Sequence, residues 1–131
     1  MIEVKLVWPS AKLSPNVKQH WAVKAAVVKK YRRECFIETK FQVPKPVMPA
    51  GELTLELEFH PPQRREYDRD NLIARMKSGI DGMADALGIN DKEFATLVAK
   101  VADPQKGGFV MVRITGENDA KENQRPDGQG R

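Results

Sequence analysis

Leu53-Thr54-Leu55-Glu56-Leu57-Glu58-Phe59 alternates without a slip, apolar at odd positions and polar at even ones. A period of two puts all its apolar side chains on one face, which predicts a strand with one buried side. Pro61-Pro62 stops it, since proline cannot donate to a ladder. Downstream the period changes. Leu72, Met76, Ile80, Met83 and Leu87 recur at spacings of three and four, predicting an amphipathic helix over about 70–87. Gly88 suits the left-handed cap just beyond it. Upstream, residues 2–8 read as a strand ended by Pro9, and 9–16 as a loop. A helix is predicted over about 17–41, with Val17, Trp21, Ala25, Val28, Tyr31 or Arg32, and Cys35 as its apolar face. Pro44, Pro46 and Pro49 stiffen the connector that follows. Residues 94–102 and 109–115 read as two strands, joined across 103–108 by a hairpin-type connection. The order β-α-β-α-β-β predicts one mixed α/β (α+β) domain over 1–115, two main helices packed on a single mixed sheet. Residues 116–131, polar and rich in Asn, Gln and Gly, are expected to form a disordered tail.

A chain of 131 residues with 40% hydrophobic and 31% charged content belongs to neither the disordered nor the membrane-spanning class. Its start, Met1-Ile2-Glu3-Val4-Lys5-Leu6, lacks the core of a secretion signal, so a cytoplasmic location and no membrane partner are expected. With Cys35 the only cysteine, an internal disulfide is excluded. Adding His20 and His60 still falls short of a structural zinc site. No Gly-x-x-x-x-Gly-Lys loop or Gly-x-Ser-x-Gly elbow occurs, which speaks against P-loop nucleotide binding and serine hydrolysis. The net charge of +4 is unevenly spread: residues 1–50 carry ten Lys/Arg against three Asp/Glu, and residues 51–93 carry six against ten. Such a split suits a surface that attracts a polyanion around a carboxylate cluster, or helices that are simply solvated. The carboxylates have to decide between these.

They concentrate in Arg64-Arg65-Glu66-Tyr67-Asp68-Arg69-Asp70-Asn71-Leu72, between the alternating strand and the second helix. Asp68 and Asp70, two apart, point to the same side of an extended segment. Two close carboxylates repel unless a cation lies between them, and Mg²⁺ takes few carboxylate oxygens with several waters. Alternatively Asp70 only caps the helix and Asp68 only shapes the turn. Asp91, in Gly88-Ile89-Asn90-Asp91, joins the pair only if the chain runs back along the helix. Lys77 lies two turns after Asp70, near the same helical face, and Asp81 one turn further is placed to pair with it.

Asp68-Arg69-Asp70-Asn71-Leu72, a helix with Lys77 and Asp81-Gly82, and then Ala84-Asp85-Ala86-Leu87-Gly88-Ile89-Asn90-Asp91 together resemble the RusA family of Holliday-junction resolvases. Trp8-Pro9 followed by His20-Trp21 is similar to that family's opening, and the likeness covers roughly 1–115. The resemblance implies a small homodimeric endonuclease of a bacterium or its prophage that cuts four-way DNA junctions with Mg²⁺ or Mn²⁺. It implies that Asp68, Asp70 and Asp91 bind the metal. The family's lysine comes four residues after the second aspartate, where this chain has Ala74, so Lys77 or Arg75 takes its role. Lys29, Lys30, Arg64, Arg65, Arg69 and Lys106 are the expected DNA contacts. The alternatives are a non-catalytic module that binds branched DNA, and a nuclease for other branched DNA.

Overall fold

A computed structural model describes residues 1–117. Strand β1 (Ile2–Val7) leads through a 3-10 turn (Ala11–Leu13) into helix α1 (Trp21–Gln42). Strand β2 (Leu53–His60), helices α2 (Arg69–Arg75) and α3 (Lys77–Leu87), a second 3-10 turn (Asp91–Glu93) and strands β3 (Phe94–Val101) and β4 (Phe109–Thr115) follow. The predicted mixed α/β fold is the observed one, with helices on one face of a four-stranded mixed sheet. The strand order is β1-β4-β2-β3, with β4 antiparallel to both its neighbours and β3 parallel to β2.

The alternation around β2 sets the layers. Leu53, Leu55, Leu57 and Phe59 are all buried, and register pairs Leu55 with Ile114, Leu57 with Val112 and Phe59 with Val110. Val4 and Leu6 of β1 stand opposite Val112 and Val110 on the far side, so one apolar face runs across three strands. Tyr31, Cys35, Leu72, Met76 and Met83 close over it from the helices. Outward-facing side chains form an ionic ladder instead. Arg113 of β4 contacts Glu3 at 2.7 Å and Glu56 and Glu58 at 3.2 Å. Glu58 also meets His60 and, at 3.3 Å, Lys100. These partners, His60 of the same strand first, hold the Glu58 carboxyl at about 2, well under its ordinary value of 4.5. Because the folded pKa lies below the unfolded one, this contribution is fully present above about pH 4.5 and fades as pH falls towards 2. Glu58→Gln is therefore expected to cost about 2 kcal/mol at pH 7 and much less at pH 2.5, read by urea denaturation at both values. An equal loss at the two pH values would place the stabilisation elsewhere.

Three expectations are corrected. The hairpin between the last two strands does not form: β3 and β4 flank β2 on opposite sides. Their connection crosses the end of β2, where Ala102 donates to the Phe59 carbonyl at 2.7 Å and Gln105 to that of Pro61 at 2.9 Å. The strand-breaking prolines leave this end free to be crossed. The second helix is two, since Met76, at φ −81° and ψ −8°, ends α2 and starts α3. The bend lets α3 pack on α1 while α2 reaches β3 and the first 3-10 turn. All five residues of its apolar stripe remain buried, because Met76 stays in the αR region. Finally, α1 begins at Trp21, with the His20 ring accepting from the Ala22 amide at 3.2 Å as its cap. Trp21 is 77% exposed and Val17 40% exposed, so the apolar face begins only at Val27 and Val28.

The α1–α3 contact depends on small residues. A Cβ on Gly82 would overlap the carbonyl oxygen of Arg32, and one on Gly79 would meet the Tyr31 ring. A backbone atom cannot swing away, so Gly82→Ala must push the helices apart. The expected cost is about 3 kcal/mol, measured as a lower denaturation midpoint at unchanged m. A loss under about 0.5 kcal/mol would mean that the helices slide freely.

Beyond β4, Gly116 is buried and the Glu117 amide donates to the Ala50 carbonyl at 3.0 Å. The rest of the expected disordered tail, 118–131, lies outside the described residues.

Candidate active site

The loop after Pro61-Pro62 delivers Asp68 to the start of α2 in extended backbone, where its Oδ1 accepts from the amides of Asp70 at 2.9 Å and Asn71 at 3.2 Å. Asp68, not Asp70, is thus the cap, and its Oδ2 has no hydrogen bond within the described residues. Asp70 follows in the first turn, exposed. Both carboxylates border a concavity of about 480 Å³ with Arg69 of α2 and Lys100 and Val101 of β3.

Asp91 is positioned differently. Gly88 takes the left-handed conformation (φ 76°), and Asn90 caps the following 3-10 turn with Glu93 completing a capping box. The chain therefore turns back along α3, the return that spacing alone could not establish. Lys77 at the head of α3 receives it, with Nζ 2.8 Å from Asp91 Oδ2 and 3.3 Å from Asp81 Oδ1. The hydrogen bond from Lys77 lowers the Asp91 pKa, and that to Asp91 raises the Lys77 pKa, so both are charged at neutral pH. Lys77 and Asp91 border a second concavity with Ile73 and Ala74 of α2 and Leu97 of β3. The same helix and the same edge strand thus flank both carboxylate groups, Asp68 and Asp70 towards one end and Asp91 towards the other.

The three aspartates are not gathered around one point: among the described residues no cluster of three or more His, Cys, Asp or Glu is positioned to hold a metal ion. What the site does offer is the donor chemistry of a hard cation. Asp68 and Asp70 present carboxylate oxygens without competing thiolate or imidazole, and a Mg²⁺ ion needs only one or two such ligands beside water and phosphate. The pair fits such an ion as a partial shell.

Of the expected DNA contacts, Arg69 borders the Asp68–Asp70 concavity, while Lys29, Lys30, Arg64, Arg65 and Lys106 are exposed elsewhere. Arg65 lies over the Tyr67 ring, 4.8 Å from its centroid. Arg75, the rival to Lys77, is buried and makes no contact with Asp91. Lys100 was not foreseen. It enters the site because the parallel crossover lays β3 beside α2, and nothing in its own neighbourhood of sequence announces that. Cys35 is buried, and burial pushes its thiol up to about 12, so it is no nucleophile.

No protein-family profile matches the chain. An uncharacterized protein of Xylella fastidiosa (strain Temecula1) is 37% identical over 120 residues, spanning 88% of this chain and 77% of that protein. The chain belongs to the same family as that bacterial protein. Among the described residues, no helix is long and apolar enough to cross a membrane.

Proposed function

We propose that this protein is a metal-dependent endodeoxyribonuclease that resolves four-way DNA junctions, acting as a homodimer in the cytoplasm of a bacterium, encoded by host or prophage. One observation carries the reading: the chain's return past Gly88 sets Asp91 on Lys77, beside the same helix whose first turn presents Asp68 and Asp70. That is the order of residues in the RusA-like pattern, brought onto one side of the fold by contacts that spacing could not reveal. Asp68 and Asp70 would hold Mg²⁺, or Mn²⁺ in its place, and Asp91 is the third donor of the pattern. Such an ion, when bound, supplies positive charge at the scissile phosphate and acidifies a water molecule.

The remaining work falls to the chain. Lys77, 70% exposed in its side chain, can leave its carboxylates for a phosphate oxygen and meet the charge that develops there. Arg69 beside the acidic pair, with Arg64 and Arg65 before it and Lys29, Lys30 and Lys106 further off, would hold backbone phosphates in place. Two symmetric cuts require two sites, which a two-fold dimer supplies.

A second reading has its own support. Asp68 caps a helix and Asp91 pairs with a lysine, which are structural duties sufficient for a module that binds branched DNA without cutting it. Rates on a synthetic four-way junction, a flap and a linear duplex, each with excess Mg²⁺, separate the readings. The resolvase cuts the junction far faster than the others. Preferential flap cutting would make it a nuclease for other branched DNA, and binding without cutting would make it the module.

A further inference from the structure

The chain's two tryptophans sit in opposite surroundings. Trp8 packs edge-on against Phe59 and Tyr67, with ring centroids 6.1 and 5.7 Å away. Trp21, at the first position of α1, is 77% exposed, beside the His20 ring at 5.6 Å and a 31° tilt. A large amphipathic ring left in water forgoes the burial it usually brings to a fold, so what surrounds it bears on what covers it.

Those surroundings are cationic. Residues 4–33 hold eight Lys or Arg and no Asp or Glu. Lys12, Lys18 and His20 are exposed just before the indole, and Lys24 follows within a turn. The first turn of α1 carries no acidic residue, although the positive end of a helix favours one and disfavours a lysine. Carbonyls of Ser14 at 2.9 Å and Lys12 at 3.2 Å hold Lys24 Nζ there, engaging two of its three hydrogens. The same loop ties the start of α1 to the candidate site. Ser14 Oγ donates to Asn71 Oδ1 at 2.7 Å, one residue beyond Asp70. Lys24 and Val28, three and seven residues after Trp21 on one stripe of α1, border a concavity that Lys77 and Asp81 also border.

Three occupants compete for the indole. A second copy docked by a two-fold through this face would set like charges against each other. Residues 118–131 carry three acidic and three basic side chains and no aromatic, so neither charge nor stacking favours them. DNA supplies both an anionic backbone and flat ring faces. In a duplex those faces are covered by neighbouring bases, and only base edges show in the grooves. A face is available where pairing fails, as at a branch point, a flap or a strand end.

We infer that Trp21 is a base-stacking residue that takes a nucleobase left unpaired at the branch point, with Lys18 and Lys24, three residues to either side, for the flanking phosphates. The inference rests on the DNA-junction reading. It adds what phosphate contacts cannot give, a preference for branched over linear DNA.

Binding in EDTA, where nothing is cut, provides the test. The probes are a four-way junction with a fixed branch point, a single-stranded oligonucleotide and a linear duplex. Trp21→Ala is expected to fold with unchanged Tm, since the indole is exposed. It should bind the junction and the single strand about tenfold more weakly, the scale of one base–aromatic stack, and the duplex as well as before. Trp21→Phe, which keeps a ring, should recover most of the loss. Unchanged junction affinity in Trp21→Ala, equal losses on junction and duplex, or a wild type that binds no junction overturns the stack. A dimeric wild type beside a monomeric Trp21→Ala in sedimentation overturns it in favour of a contact between copies. Nicking with Mg²⁺ is scored separately. A Trp21-dependent junction preference without nicks leaves the stack standing and the nuclease reading fallen, and nicks without Trp21 dependence do the reverse.

Discussion

Asp70→Asn is expected to abolish Mg²⁺-dependent junction cleavage while leaving junction binding intact or tighter. The side chain is exposed in the first turn of α2, it does not cap the helix, and among the described residues it makes no hydrogen bond to lose. The fold therefore has little stake in its charge. The amide keeps the shape and removes a full negative charge beside the path of the phosphates, which weakens cation binding and relieves repulsion of DNA. The same change at Asp68 is less clean, because an amide oxygen caps α2 but more weakly interacts with the positive end of the helix. Single-turnover cleavage and metal-free binding of the purified variant separate the two effects. Normal turnover by Asp70→Asn would remove this residue from the metal site.

Lys77→Ala is expected to slow cleavage by about 10²-fold or more, the scale of losing one positioned electrostatic group. Stability should barely move, since exposed pairs such as Lys77–Asp81 contribute only a few tenths of a kcal/mol. Affinity should fall little, one phosphate contact among many being lost. Lys77→Arg should rescue poorly, because a planar fork does not reproduce a compact ammonium between two carboxylates. Arg75→Ala would confound activity with folding, since Arg75 is buried. Wild-type cleavage by Lys77→Ala would show that the lysine only braces the turn that carries Asp91.

The parts of the fold legible in sequence are those whose contacts are periodic. Leu53 to Phe59 and Leu72 to Leu87 declared their buried faces because every second, or every third and fourth, residue repeats the same environment. The hairpin error has the opposite origin: a short connection between two strands fits adjacent pairing, and only β2's place in the sheet forbids it. The stripe on α1 failed at Val17, which precedes the helix, and at Trp21, which is exposed in its first turn. At the candidate site, the Asp68–Asp70 spacing and the Lys77–Asp81 pair were local and readable. The Asp91–Lys77 contact depends on a turn at Gly88, and Lys100 on a parallel crossover. The burial of Arg75 was not legible, because burial of a charge leaves no periodic trace.

The most direct measurement is strand-resolved mapping of cuts in a four-way junction whose branch point cannot migrate. The account predicts paired nicks at symmetry-related positions in two opposing strands, formed with Mg²⁺ or Mn²⁺, absent in EDTA and absent with Asp70→Asn. Tight junction binding with no nick in any strand under either metal would contradict it, and would leave Asp68 as a helix cap and Asp91 as the partner of Lys77.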